Sequence, residues 1–281
     1  MDIQEIRSVD GISGWNESEG VYDVVTPHAL SQVAGCLKFL KSDNGRVFFR
    51  GQAKTYTTMT PSLFRTDKGI RKITQKVMSD RVSEIKKFMD RLDCDACFVG
   101  KTPDYAYEPL LQQYGFRTRW IDCVDNIWIA LWFATHEANF SGLNKEYINY
   151  EKNKNEYSYI YLMQFGEENP VDRGLTITGS EFKIVDLRVA TPSNYIRPHS
   201  QNGILVSRKA YRNVDDIDFY NFVVGIIRVR TSEAIQWQGG GLLASVHFVF
   251  PPPRYDVGYG RLINSALKGN RLIGKLQFIG P

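Results

Sequence analysis

Ile127-Trp128-Ile129-Ala130-Leu131-Trp132-Phe133-Ala134 is the longest apolar run in the chain, and its reading governs the fold. It is far too short to span a bilayer, which takes about 20 apolar residues. A helix over these residues is apolar on every face, so the rest of the protein must enclose it. Asp122 or Asp125 is the natural N-cap of such a helix. With 281 residues, 43% of them hydrophobic, the chain can build that enclosure without disulfide or metal staples.

On the N-terminal side, Thr26-Pro27 reads as an N-cap and first-turn proline. Leu30, Val33, Ala34, Leu37 and Leu40 then recur at helical spacing until Gly45, which predicts a helix over 27–41. Val47-Phe48-Phe49-Arg50 is a β-prone run ending at Gly51, a buried strand that delivers Arg50 to its end. Residues 73–92 keep a helical period with a basic, solvated face, and 93–104 read as a loop. A helix starting within 103–108 ends at Gly115.

On the C-terminal side, residues 139–157 have no apolar period and predict a solvent-facing excursion. Segments 157–165, 182–187, 203–207, 222–230 and 244–250 carry β-branched and aromatic residues between turn signals and predict strands. Pro251-Pro252-Pro253 ends the last of them, and a closing helix is expected over about 259–269. A helical N-terminal half thus precedes a strand-rich C-terminal half, an order that argues for α+β over alternating βαβ units. No repeat, linker or domain boundary stands out, so one domain is expected over 1–281.

Composition narrows the chemistry. The net charge of +4 favours an anionic partner without reaching the loading of a dedicated nucleic-acid binder. Four cysteines are too few and scattered for a secreted scaffold, and the N-terminus lacks a secretory signal, so a cytoplasmic protein with no membrane partner is expected. Cys94 and Cys97 form a CxxC with no second pair near enough to complete a tetrahedral site. His28, His136, His199 and His247 share no ligand spacing, and only His199 sits in a polar, turn-rich setting. No metal site is expected. Nucleophile-elbow, Walker and Rossmann patterns are missing, and Gly239-Gly240-Gly241 reads as a bend.

Three polar clusters remain, each embedded in apolar surroundings where a charge needs a partner or a ligand. The first is Arg50, whose planar fork suits two oxygens of a phosphate or carboxylate; its alternative is a buried salt bridge to Asp122. The second is Gln112-Gln113-Tyr114-Gly115-Phe116-Arg117-Thr118-Arg119-Trp120-Ile121-Asp122, in which Arg119 and Asp122 serve equally well as pocket lining or as a helix cap and its counter-ion. The third is Arg197-Pro198-His199-Ser200-Gln201-Asn202-Gly203, a ligand edge or a hydrogen-bonded turn leading into a strand.

Phe49-Arg50-Gly51 resembles the Phe-Arg-Gly signature of the FRG domain. Residues 111–134 are similar to that family's Gln-His-Tyr-Gly-Leu-Pro-Thr-Arg-Leu-Leu-Asp run and the Asn-Pro-Leu-x-Ala-Leu-x-Phe-Ala helix after it, and Arg197-x-x-x-Gln201-x-Gly203 resembles its third motif. The resemblance spans about 47–250, with 27–41 and 259–269 as helical extensions. Gln113 replaces the usual His, Arg117 a Pro, Val124 a Thr and Ile127 a Pro. Matched residues include Arg50, Gln112, Tyr114, Gly115, Thr118, Arg119, Asp122, Asn126, Arg197 and Gln201.

The strand-end Arg-Gly looks like the first motif of Arg-type ADP-ribosyltransferases, which implies an ADP-ribosyltransferase-like mixed or antiparallel β core and a site for NAD. On that reading Arg50 and Arg119 hold the pyrophosphate, Tyr114 stacks on nicotinamide, and Gln113, Asp122 and Gln201 fix the ribose. Thr118, Arg197 and His199 complete the binding set. The catalytic carboxylate resembles Glu181, with Glu233 as the competing choice. The resemblance also implies a bacterial toxin or phage-defence setting, an RNA, DNA or protein acceptor, and a neutralising antitoxin. The rival reading is a module in which the same arginines bind a phosphate on RNA, DNA or a nucleotide without chemistry. Its support is the mild positive charge together with Tyr105, Tyr107, Trp120 and Trp237 as stacking surfaces.

Overall fold

A computed structural model describes the chain except for residues 1–9, 17–19, 66–72, 93–97, 99, 144–146, 167, 179–180, 242–243, 266–268, 271 and 280–281. In chain order the elements are β1 (Ile12–Asn16), β2 (Val21–Val24), α1 (Pro27–Lys41), β3 (Arg46–Gln52), α2 (Gln75–Asp90), α3 (Asp104–Gln113), β4 (Ile121–Val124) and α4 (Ile127–Thr135). There follow β5 (His136–Ser141), β6 (Tyr147–Lys152), β7 (Tyr157–Phe165), β8 (Glu168–Asp172), β9 (Leu175–Thr178), β10 (Phe182–Asp186), α5 (Leu187–Ala190), α6 (Ile196–Ser200) and β11 (Gly203–Arg208). The chain closes with β12 (Val223–Arg230), α7 (Thr231–Trp237), α8 (Val246–Val249), α9 (Val257–Asn264) and β13 (Phe278–Ile279).

The fold is α+β around one large mixed sheet, ordered β1-β2-β12-β7-β3-β4-β11-β10-β9-β8, with β12 parallel to β2 and the other pairs antiparallel. The expected division into a helical half and a strand half does not hold. β3 and β4, from the first half of the sequence, sit in mid-sheet between β7 and β11 of the second. Long-range pairing, invisible to local periodicity, sets that order.

Local chemistry explains the elements around the sheet's centre. Thr26 caps α1 by accepting from the Ala29 amide at 3.1 Å, and Ala29, Leu30, Val33, Ala34 and Leu37 bury its apolar stripe. In β3 the side chains alternate: Val47 and Phe49 join the core beneath α1 and α4, while Phe48 packs with Phe165, Phe182 and Phe219 on the opposite face. Gly51 continues the first of these faces, against α4. A Cβ there would lie 1.8 Å from the Ala130 carbonyl oxygen and 2.7 Å from the Ala134 nitrogen, so only glycine lets the helix backbone rest on the strand.

The apolar run is enclosed as its composition demands, with Ala130, Leu131, Trp132 and Ala134 fully buried. Its cap, however, is Asn126, whose Oδ1 accepts from the Trp128 and Ile129 amides at 2.9 and 3.3 Å. Asp122 lies within β4, and Asp125 pairs with Lys38 at 2.7 Å. Two other expectations fail. Residues 139–157 are not a free excursion: β5 and β6 form a hairpin, and β13 adds to it to make a second, three-stranded sheet. Residues 244–250 hold no strand, because the Ser245 hydroxyl accepts from the Phe248 amide at 3.2 Å and starts the short helix α8 before the prolines. The CxxC cysteines lie outside the described residues. No described helix is long and apolar enough to cross a membrane, and no metal-ligand cluster occurs among the described residues.

Two glycines should respond in opposite directions to alanine. Gly51→Ala should cost about 3 kcal/mol or more, or abolish soluble folding, because the contact is backbone against backbone. Gly35, inside α1 with nothing within 4 Å of the point a Cβ would occupy, should gain about 0.5–1 kcal/mol on the same change. Urea denaturation of the two variants checks both signs; a Gly51→Ala protein as stable as wild type would contradict the packing of α4 on β3.

Candidate functional site: a cleft where the sheet parts

β3 and β4 meet at a single register pair, Phe49 opposite Val124. Beyond it Arg50 takes over the role of the ladder: its Nη1 donates to the main-chain oxygen of Asp122. The end of α3 supplies two more donors to the same residue. Gln112 Nε2 donates to Asp122 Oδ2 at 2.5 Å, and Gln113 Nε2 to Oδ1 at 3.1 Å. Gln112 Oε1 accepts in turn from the Thr118 hydroxyl, which fixes the orientation of that amide.

Asp122 thus has an amide on each carboxylate oxygen. Burial pushes its carboxyl above the ordinary value, while Arg50, the Gln112 hydrogen bond and Arg65 pull the other way.

Arg50, Gln112, Gln113 and Asp122 share the wall of an inner chamber of about 200 Å³ with Phe49, Tyr150, Arg197, Gln201 and Phe250. Two larger spaces adjoin it. One, of about 830 Å³, shares Gln112, Asp122 and Tyr150 with the chamber and adds Arg65, Arg117 and Lys275. The other, of about 730 Å³, shares Arg50 and Phe133 with it and adds Arg65, Lys54, Tyr56, His136 and Glu137. Arg65 stands between these two arms. Partial enclosure first, and the like charge of Arg50 second, pull its guanidinium down to about 10 even though the side chain is open to solvent.

The residues singled out from the sequence fall into two groups. Arg50, Gln113, Asp122, Arg197 and Gln201 reach the chamber wall. Arg197 is 2% exposed; its Nη1 donates to the Gln113 carbonyl at 2.6 Å, and its guanidinium lies 4.5 Å from the Tyr114 ring centre and 4.7 Å from that of Tyr259. Gln201 donates to the Val249 carbonyl at 2.9 Å, which ties the chamber wall to α8.

The second group lies behind the wall. Tyr114 is 0% exposed, stacks on Tyr259 with ring centres 5.0 Å apart and donates its hydroxyl to Asp256 at 2.8 Å, so it has no free face for nicotinamide. Arg119 is neutralised by Glu108, with Nε 3.1 Å from Oε1 and Nη2 2.5 Å from Oε2, so it cannot double as the pyrophosphate grip. Thr118 is fully buried and acts through Gln112. His199 lies on α6 with a buried Nε2 that has no partner among the described residues, and it does not line the chamber.

Glu181 is misplaced for catalysis. It pairs with Arg208 at 2.8 Å, at the end of β11 opposite Gly203, roughly 17 Å of strand away from the chamber. Glu233 lies on α7 and lines none of the three spaces. Asp122 is the one carboxylate among the described residues of the inner wall. The anticipated ion pair between Arg50 and Asp122 takes a different form, guanidinium to backbone carbonyl.

Sequence reasoning missed Arg65, Tyr150, Asp256 and Glu108. Tyr150 had a signal, since Tyr147-Ile148-Asn149-Tyr150 alternates as an amphipathic strand does. Tyr150 stacks on Phe250 at 4.3 Å and carries the hairpin over the chamber. Asp256 had one too: it precedes a helix, and it accepts from the Tyr259 amide at 2.9 Å and the Arg197 amide at 3.1 Å. Glu108 and Arg65 had none, because their roles depend on what lies across the fold.

Residues 45–142, about a third of the chain, match the family described as the FRG domain. The matched segment runs from the start of β3 to the end of β5 and contains Arg50, Gln112, Gln113 and Asp122, while Arg197 and Gln201 lie beyond it. No curated protein and no solved structure matches the chain.

The raised Asp122 carboxyl makes a prediction about stability. The folded protein keeps this proton to a higher pH than the unfolded chain, whose value is near 3.8, so stability is lost as pH climbs through that window and stays lost above it. Asp122→Asn removes the penalty. Its melting temperature relative to wild type should therefore rise as pH climbs from about 3.8 and then level off once the wild-type carboxyl is ionised. A difference that is constant or falls with pH would show that folding does not raise this carboxyl.

Proposed function

We propose that the cleft binds NAD and that the protein is an ADP-ribosyltransferase acting within an FRG-type fold. The observation that carries this reading is the meeting of Arg50, Asp122, Gln112 and Gln113 on one chamber from which two larger arms lead. The inner chamber, walled by Phe49, Tyr150 and Phe250, suits a single flat ring such as nicotinamide. The arm lined by Arg65, Arg117 and Lys275 suits the pyrophosphate.

Asp122 stands at the junction of chamber and arm. Breaking the bond between ribose C1′ and the nicotinamide nitrogen builds positive charge on the ribose, and a fixed carboxylate beside it lowers that barrier. The amides of Gln112 and Gln113 preset its orientation, so little reorganisation is needed at the moment of reaction. Arg50 plays two parts on this reading: one N–H holds β4 in place, and the rest of the fork faces the inner chamber, where it donates to the carboxamide oxygen of the nicotinamide. Asp122 must be ionised to act, so the rate should rise with pH through a value above 3.8.

Calorimetry with NAD and a nicotinamide-release assay test this directly. Arg50→Ala should weaken NAD binding about 10- to 100-fold, the worth of a charge-assisted contact. Asp122→Asn should bind NAD near the wild-type level and release nicotinamide at least about 100-fold more slowly. Absence of NAD binding by the wild-type protein overturns the reading. Tight binding with no turnover, and affinity for short oligonucleotides that falls steeply with salt, would favour the binding-only alternative that the cations of the outer arm also fit.

A further inference from the structure

A donor nucleotide needs the inner chamber and one arm, which leaves the arm lined by Arg50, Lys54, Tyr56, Arg65, His136 and Glu137 without an occupant. His136 sets the chemistry of that arm. It opens β5 where α4 ends, and its ring stacks on Trp132 with centres 4.2 Å apart and planes 11° apart. Its Nδ1 lies 2.9 Å from the Trp132 carbonyl oxygen. A carbonyl can only accept, so Nδ1 carries the hydrogen and the neutral ring holds a bare lone pair at Nε2. No hydrogen bond with a described residue engages Nε2.

We propose that this arm receives the acceptor, that the acceptor reacts through a hydroxyl group, and that His136 Nε2 takes the hydroxyl proton. The inference deepens the NAD reading and rests on it for the donor. In the step, the C1′–N bond breaks and its electron pair leaves with nicotinamide, turning the pyridinium into a neutral ring. A lone pair of the hydroxyl oxygen forms the C1′–O bond, and the hydroxyl proton passes to Nε2, giving an imidazolium that returns it to solvent. Atoms and charge balance without a further reactant.

The surroundings select the hydroxyl. A carboxylate acceptor brings no proton and needs no base, whereas an ammonium meets Arg50, Arg65 and Lys54 as like charges. A neutral hydroxyl is not repelled by those cations and, unlike a carboxylate, makes use of the free base nitrogen. The ring is available as one at neutral pH. Burial lowers its pKa below the ordinary 6.5, Lys152 across the hairpin adds to that, and the Trp132 carbonyl partly offsets both. Glu137, Arg50, Arg65 and Lys54 are the other charged groups among the described residues that line the arm.

The test uses the full chain with NAD and methanol as the probe acceptor, reading methyl-ADP-ribose by mass spectrometry. His136→Asn keeps a side-chain donor for the Trp132 carbonyl and removes Nε2. The expected result is at least about 100-fold slower transfer with NAD affinity within about twofold of wild type. On the acid side the logarithm of wild-type kcat/KM should rise with a slope of about 2 per pH unit, one each for Asp122 and His136, and in the variant the slope should fall to about 1. A variant that transfers at the wild-type rate with the same slope overturns the proposal while leaving the NAD reading intact. No nicotinamide release by wild type overturns the NAD reading instead. The base stands or falls separately on the nitrogen-15 shifts of the His136 ring at about pH 8, where protonation at Nδ1 is expected and protonation at Nε2 overturns it; this measurement also decides the matter if His136→Asn does not fold.

Discussion

In the middle of the sheet, between β3 and β4, the hydrogen-bonded ladder gives way to a side chain. Only Phe49 and Val124 face each other across this pair, and from there the strands separate. The carbonyl of Asp122 would be left without a partner, a cost that buried backbone seldom bears. The Arg50 guanidinium supplies the missing donor. The parting of the strands and the presence of a charged fork at that spot are therefore one feature: the charge holds the strands together and, being part of the gap, faces the space it opens.

A carboxylate in such a gap needs compensation, and it comes from the end of α3. Two consecutive glutamines donate to the two oxygens of Asp122, and the Thr118 hydroxyl keeps one of them from turning over. Burial still outweighs these contributions and raises the carboxyl. Sites that retain a group in this costly condition fit chemistry better than architecture, since an apolar pair would fill the gap at lower free energy. The Arg119–Glu108 pair shows the contrast: it is closed on both sides and needs nothing from a ligand.

Much of the site was legible because motif spacing keeps residues in order along the chain. The polar run from Gln112 to Asp122 supplies part of the lining, and Arg197 to Gly203 forms an edge leading into a strand, as their composition suggests. Which of these residues face inward was not legible. Tyr114 and Gln113 are adjacent, yet the first lies beneath Tyr259 and Asp256 and the second on the chamber wall. The difference depends on where α9 packs, more than a hundred residues later. Glu181 failed for a similar reason: a glutamate just before a strand can lie at either end of the sheet, and here the antiparallel register with β11 puts it beside Arg208.

What the sequence determined by itself was local. The cap and stripe of α1, the enclosure of the apolar run, most C-terminal strands and the isolation of Arg50 in apolar surroundings all follow from periods of a few residues. Tertiary structure alone decided the order of strands in the sheet, the folding of the Tyr147–Lys152 strand over the cleft, and which of the candidate carboxylates reaches the chamber wall. Those outcomes rest on contacts between residues tens to hundreds of positions apart. Their free energies come from shared burial and from charges neutralised across the fold, quantities that no stretch of neighbouring residues contains.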